Sequence, residues 1–234
     1  MNFTKFKLKG LLSIAMLVGI LTTSMGIESL AFSKDSIKLS DKQVEKIKHD
    51  LDEKNIEEYK QARFIEKIKE NKELDSSKYL KNNNFELTVD LYNNEKESYL
   101  KTFEDGSYIS IEVEDASPSE LKLRGLTYNG KKITGSNGAA TQTYYIDTRP
   151  HKNNSKYTVL TKAYAITTTV FLGDYSNESI RKHRTWEDAS QPVWVEGYAK
   201  FHYFGNQWVQ LWNQSGGVRS KIKNNKLQIE TCTP

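Results

Sequence analysis

From Phe85 onward, apolar side chains recur at every second position, and that period restricts the fold more than any other feature of the chain. Phe85, Leu87, Val89 and Leu91 alternate with Glu86, Thr88 and Asp90. Ile109, Ile111 and Val113 alternate with Ser110, Glu112 and Glu114, after the turn composition Glu104-Asp105-Gly106-Ser107. Successive side chains of an extended chain point to opposite sides, so each run predicts a strand with one buried face.

Tyr157 to Leu172 is rich in Thr, Val, Ile and Tyr and predicts a bent strand or two consecutive ones. Further strands are predicted over Val193–Phe204, Trp208–Trp212, Val218–Lys223 and Leu227–Glu230. Asn129-Gly130, between Leu121–Tyr128 and Lys131–Thr134, predicts a tight hairpin turn, because both residues tolerate positive φ. Gly135–Ala140 reads as a loop, as does Gly173–Gln191, which has no clean period. Eight or nine short strands without intervening helices predict an all-β fold, an antiparallel β-sandwich or small barrel over residues 82–234. A parallel α/β sheet would need helices between its strands.

Residues 32–81 have a different period. Ser40-Asp-Lys-Gln43 matches a capping box. Val44, Ile47 and Leu51, then Ile56, Tyr59, Ala62, Ile65 and Ile68, form a thin apolar stripe on a highly charged helical segment. A solvated spacer is the expectation; a propeptide or a helix docked on the β domain are the alternatives.

Residues 1–31 carry the pattern of a secretory signal peptide. Lys5, Lys7 and Lys9 precede an apolar run from Leu11 to Leu21, and Ser29-Leu30-Ala31 offers small residues for cleavage after Ala31. The run is well short of the ~20 residues that span a bilayer. No transmembrane segment is therefore expected after cleavage, and the product is expected to be secreted and extracellular. The single cysteine, Cys232, rules out an internal disulfide and reads as an inert thiol near the end of the chain. Stability must then come from the core. The abundance of Lys, Asn and Ile suggests a bacterial source.

The net charge is +4, and three lysines against Glu28 give +2 of it to the first 31 residues. So weak a basic balance argues against a nucleic-acid partner. His49, His151, His183 and His202 show no metal-ligand spacing, no nucleophile motif surrounds any Ser or Cys, and no phosphate-binding glycine loop is present. Neither a metal nor a cofactor is expected.

Two regions are candidate sites. Gly205-Asn206 suits a two-residue turn that pairs Tyr203 with Trp208, Phe201 with Gln210 and Ala199 with Trp212. One face of that hairpin would carry Phe201, Tyr203, Trp208, Gln210 and Trp212, and the other Lys200, His202 and Phe204. With Trp194, these rings could stack on sugars while Lys200, His202 and Gln210 bond hydroxyls, unless the rings are core. The second candidate is Arg181-Lys182-His183-Arg184, read as one anion-binding loop. A weaker lead pairs Glu187 or Asp188 with Glu196 across a glycosidic bond, which needs about 5–9.5 Å between carboxyl groups. The expected function is that of a secreted, non-catalytic binding module whose partner is a glycan, a cell-wall polymer or an external protein. A carboxylate-based extracellular hydrolase, or a precursor releasing an antagonistic or antimicrobial β domain, are the alternatives.

Overall fold

The computed structural model describes residues 37–93, 95–116, 129–171, 173–203 and 217–231; for Asn129, His202 and Tyr203 it describes the backbone path alone. The proposed signal peptide, Leu121–Tyr128, Phe204–Trp212 and Cys232 lie outside these residues.

The described residues form ten strands: β1 (Glu86–Asp90), β2 (Glu97–Thr102), β3 (Tyr108–Asp115), β4 (Asn129–Ser136), β5 (Ala140–His151), β6 (Asn154–Val170), β7 (Gly173–Arg184), β8 (Val193–Tyr203), β9 (Val218–Lys223) and β10 (Lys226–Thr231). They build two five-stranded antiparallel sheets, ordered β1-β10-β9-β8-β7 and β2-β3-β4-β5-β6. Among the described residues neither sheet closes on itself, so the architecture is sandwich-like and not a barrel. At one flank β6 reaches across to the other sheet through a single bridge, Val159 to Trp186.

The inner faces hold the residues that the period of two selects. Ile111, Val113, Ile133, Tyr144, Ile146 and Leu160 from one sheet meet Val193, Val195, Val218, Ile222, Leu227 and Ile229 from the other. Fully burying one such aliphatic side chain is worth about 1.5–3 kcal/mol, which explains how a chain without disulfides holds together. Several polar groups inside are bonded across the sheets. The Tyr144 hydroxyl lies 2.5 Å from Ser220 Oγ, and Gln142 accepts the Val218 N–H at 3.0 Å. Gly197 and Gly217 sit where a Cβ would collide with Gln142, so the sheets approach closely there.

A hairpin joins β9 to β10, with Asn224 and Asn225 both at positive φ. Asn129-Gly130, however, is not a hairpin turn. Both residues belong to β4, opposite Thr148 and Asp147, because the ladder with β5 extends through them. The expected loop Gly173–Gln191 is also corrected, since its first two thirds are β7. That strand is an edge with two register shifts, at Ser176/Ser179 and Lys182/Arg184, and these erase the alternation.

Upstream, the single stripe resolves into three helices: α1 (Asp41–Glu53), α2 (Glu58–Lys69) and α3 (Asp75–Asn82). The Ser40–Gln43 capping box forms at α1. Asn55 and Asn71, at positive φ, reverse the chain after α1 and α2. The segment is docked and not a free spacer. Ile47, Leu51, Ile56, Phe64, Ile65, Ile68 and Leu74 pack with Tyr108, Ala139, Ala140, Ala199 and Phe201 at one end of the sandwich. The turn between β2 and β3 caps α3, with Asp105 Oδ2 accepting the Asp75 N–H at 2.8 Å and Ser107 Oγ accepting that of Ser76 at 3.0 Å.

Candidate functional site

Along β8 the inward positions are Val193, Val195, Ala199 and Phe201, all buried in the core. Phe201 therefore belongs to the interior and not to a ligand face. The outward positions are Trp194, Glu196, Tyr198 and Lys200. The register sets Glu196 opposite Arg181 on β7 and opposite Arg219 on β9, and Arg219 opposite Glu230 on β10. A row of alternating charge thus crosses four strands on the outer face of the sheet.

The geometry of the row is specific. Glu196 Oε2 lies 3.1 Å from His183 Nε2, and Glu196 Oε1 lies 3.5 Å from an Arg219 nitrogen. Arg219 also donates to Glu230 at 3.0 Å, and Lys221 bridges to Glu230 at 3.1 Å. The carboxylates lie beneath the cations: the Glu196 and Glu230 side chains are 10% and 13% exposed, against 30% for Arg219 and 35% for Lys221. Arg181 and Lys200 are exposed, and no described carboxylate forms an ion pair with either. Arg181, Arg219 and Lys221 therefore face solvent around two covered carboxylates, with Lys200 further along β8 and the exposed Asp174 beyond it on β7.

The aromatic rings here carry imidazole and guanidinium groups. The His183 ring stacks on Trp194 with 4.1 Å between centroids and 24° between planes, and the Arg219 guanidinium lies 5.5 Å from the same ring. Arg181 sits 3.2 Å from the centroid of Tyr198. The Trp194 indole N–H is buried and meets no acceptor among the described residues.

The four residues expected in one basic loop lie on a strand. The shift between Lys182 and Arg184 is a bulge, and it brings Arg181, His183 and Arg184 to the outer side. Lys182 is opposite Val195 and falls on the other side of β7. Arg184 bonds the Trp186 carbonyl at 2.8 Å, pairs with Asp188 and stacks on Trp186 at 3.9 Å. Of the aromatic set, Trp194 and Lys200 share the outer face. His202 and Tyr203 end β8, with side chains outside the description, and Trp208, Gln210 and Trp212 lie outside the described residues altogether.

The carboxylates proposed for hydrolysis have other duties. Glu187 is 1% exposed and accepts backbone N–H bonds from Thr158 at 3.0 Å and Asn224 at 2.7 Å. Asp188 accepts from Gln191 at 2.7 Å and Ser190 at 2.8 Å, and these two bonds hold its carboxyl below the usual carboxylate range. Among the described residues no group of three or more His, Cys, Asp or Glu converges on a metal position.

Neither a family model, nor a curated protein, nor a solved structure matches the chain. The site must be judged on its own chemistry. It can hold oxyanions through guanidinium and ammonium N–H groups, with the Arg181 guanidinium braced by Tyr198 and that of Arg219 by Glu196 and Glu230. Arg219, Lys221, Tyr198 and Glu230 were not among the candidates drawn from sequence. Their signal is alternation within β9 and β10, which becomes a site only through the pairing of the strands.

Proposed function

We propose that the protein is an exported, non-catalytic binding module acting at the cell envelope or on an external partner, with the outer face of β7–β10 as its binding surface. The observation that carries this reading is the vertical order of charge, cations outward over two nearly buried carboxylates. A surface ion pair made only for stability gains little, with a median of about 0–1 kcal/mol. Nothing in that gain requires the cations to stand uppermost or the histidine to lie flat on a tryptophan. Export is inferred from the three lysines and apolar run of the first 31 residues.

A hydrolase is the weaker reading, because Glu187 is consumed by backbone N–H groups and Glu196 by His183 and Arg219. A precursor that sheds its helices is also weaker. Removing them would uncover Tyr108, Ala139, Ala199 and Phe201 together, an apolar surface that favours aggregation.

The test is sedimentation with isolated cell envelopes and cell walls. The native chain is expected to co-sediment, and a chain with Arg181→Ala and Lys200→Ala to stay in solution at an unchanged melting temperature. Equal co-sedimentation of both would remove this face from the function. Recovery of the protein from spent medium with its mass starting near residue 32 tests export.

A further inference from the structure

We propose that the ligand of this face is a soluble polymer bearing repeated phosphodiester oxyanions, and not a neutral glycan; this rests on the outer face being the binding surface. Stacking a sugar needs an open aromatic face. Trp194 has His183 against it at 4.1 Å and Arg219 at 5.5 Å, and Tyr198 has Arg181 at 3.2 Å. A neutral sugar would have to displace these groups and would return no charge to them. The rings act instead as rests that hold planar cations in place and reduce the entropy lost when an anion binds. A guanidinium in this setting presents paired N–H donors, which match two oxygens of a phosphate.

The spacing points to a polymer. Arg181 and Arg219 lie opposite Glu196 on the strands to either side, which puts their backbones about 10 Å apart at roughly 4.8 Å per strand. Lys200 is four residues along β8 from Glu196, about 13 Å at 3.3 Å per residue. One small anion cannot reach all three, whereas consecutive phosphodiesters along a chain can. A phospholipid surface offers the same oxyanion, but docking there also draws on apolar side chains entering the interface. Among the described residues the row and its neighbours Lys221, Gln228 and Lys200 supply none, and the exposed Trp186 lies off the row against Arg184, so the polymer is the source that fits.

The experiment is isothermal titration of the secreted chain with poly(glycerol phosphate), with dextran and with phosphatidylglycerol vesicles, each at several salt concentrations. Binding to poly(glycerol phosphate) that weakens with salt is expected, without binding to dextran or to vesicles. Arg181→Ala with Lys200→Ala should lower the affinity at least tenfold and flatten the slope of log K against log salt by about one per residue. Trp194→Phe, which keeps a ring under His183, should retain most of the binding. Thermal melts of each variant separate lost binding from lost folding. Salt-insensitive binding to dextran, abolished by Trp194→Ala, would leave the face standing and overturn the ligand class. A preference for vesicles would overturn the polymer source. Unchanged binding in the double variant would overturn the site itself, and failure to bind poly(glycerol phosphate) would end the proposal.

Discussion

The helical end of the sandwich and the outer face of its β7–β10 strands are both densely charged, yet they use charge in opposite ways. At the helical end each interfacial charge has a partner and closes over apolar side chains. Lys67 sits 2.9 Å from both Asp75 and Asp105, Lys54 sits 2.7 Å from Glu112, and the Tyr108 hydroxyl donates to Asp50 at 2.7 Å. Burial, followed by the Asp50 charge, pushes the Tyr108 phenol well above its ordinary pKa, so it stays a donor. On the sheet face Arg219 and Lys221 lie over covered Glu196 and Glu230 in the same way, but Arg181 and Lys200 stand exposed with no described carboxylate paired to them. Charge that is closed on itself serves the fold. Charge left facing outward is available to a ligand.

Substitutions can break or sharpen that contrast. The largest effect belongs to Phe64→Ala, which removes a ring that is 2% exposed between the helices and the sandwich. It should cost about 3–5 kcal/mol in urea denaturation. A value under 1 kcal/mol would mean that the helices are not part of the folded core. Gly106→Ala comes next. Gly106 has φ +78, and an added Cβ would lie 2.3 Å from the Lys60 carbonyl oxygen, so strain and collision coincide. A loss of about 3 kcal/mol is expected in the same measurement.

Asp105→Ala should cost about 2 kcal/mol, because it removes one of the two carboxylates on Lys67 and uncaps α3 together. The same corner predicts acid sensitivity. Burial alone would raise the Asp75 carboxyl, but hydrogen bonds from Lys67 and Lys78, with their charges, outweigh it and leave the pKa lowered. A carboxyl depressed in the folded state adds stability above its unfolded value of about 3.9 and loses it as pH falls through the lower folded value. Denaturation midpoints should therefore hold at neutral pH and fall below roughly pH 4, less steeply in Asp75→Asn. The smallest stability effect belongs to Arg181→Ala on the sheet face, within about 0.5 kcal/mol. A destabilisation as large as that of Asp105→Ala would erase the distinction between the two regions.

Much of the sandwich was legible from alternation, because strands such as β9 and β10 have one wet side and one dry side. The turn at Asn224-Asn225 rests on two asparagines that tolerate positive φ, but only the strands on either side of it were legible. The edge strand β7 was not, since solvent reaches most of it and two bulges shift its register. Asn129-Gly130 misled because a local turn preference yields to a long ladder with β5. The docking of the helices could not be read from the stripe alone, as the surface receiving Phe64 and Ile68 comes from residues 108 to 201. The site was legible in part. Trp194 and Glu196 are near neighbours in sequence, and Arg181 and His183 are close by. Arg219 and Glu230 join them only through the strand order β7-β8-β9-β10, which depends on topology.

The most direct test of the central claim is a backbone amide NMR titration of the intact folded chain with poly(glycerol phosphate). The account predicts shifts concentrated at Arg181, His183, Glu196, Lys200, Arg219 and Lys221, with the amides of α1–α3 unmoved. Shifts gathered on the helices, or spread evenly over the molecule, would contradict it.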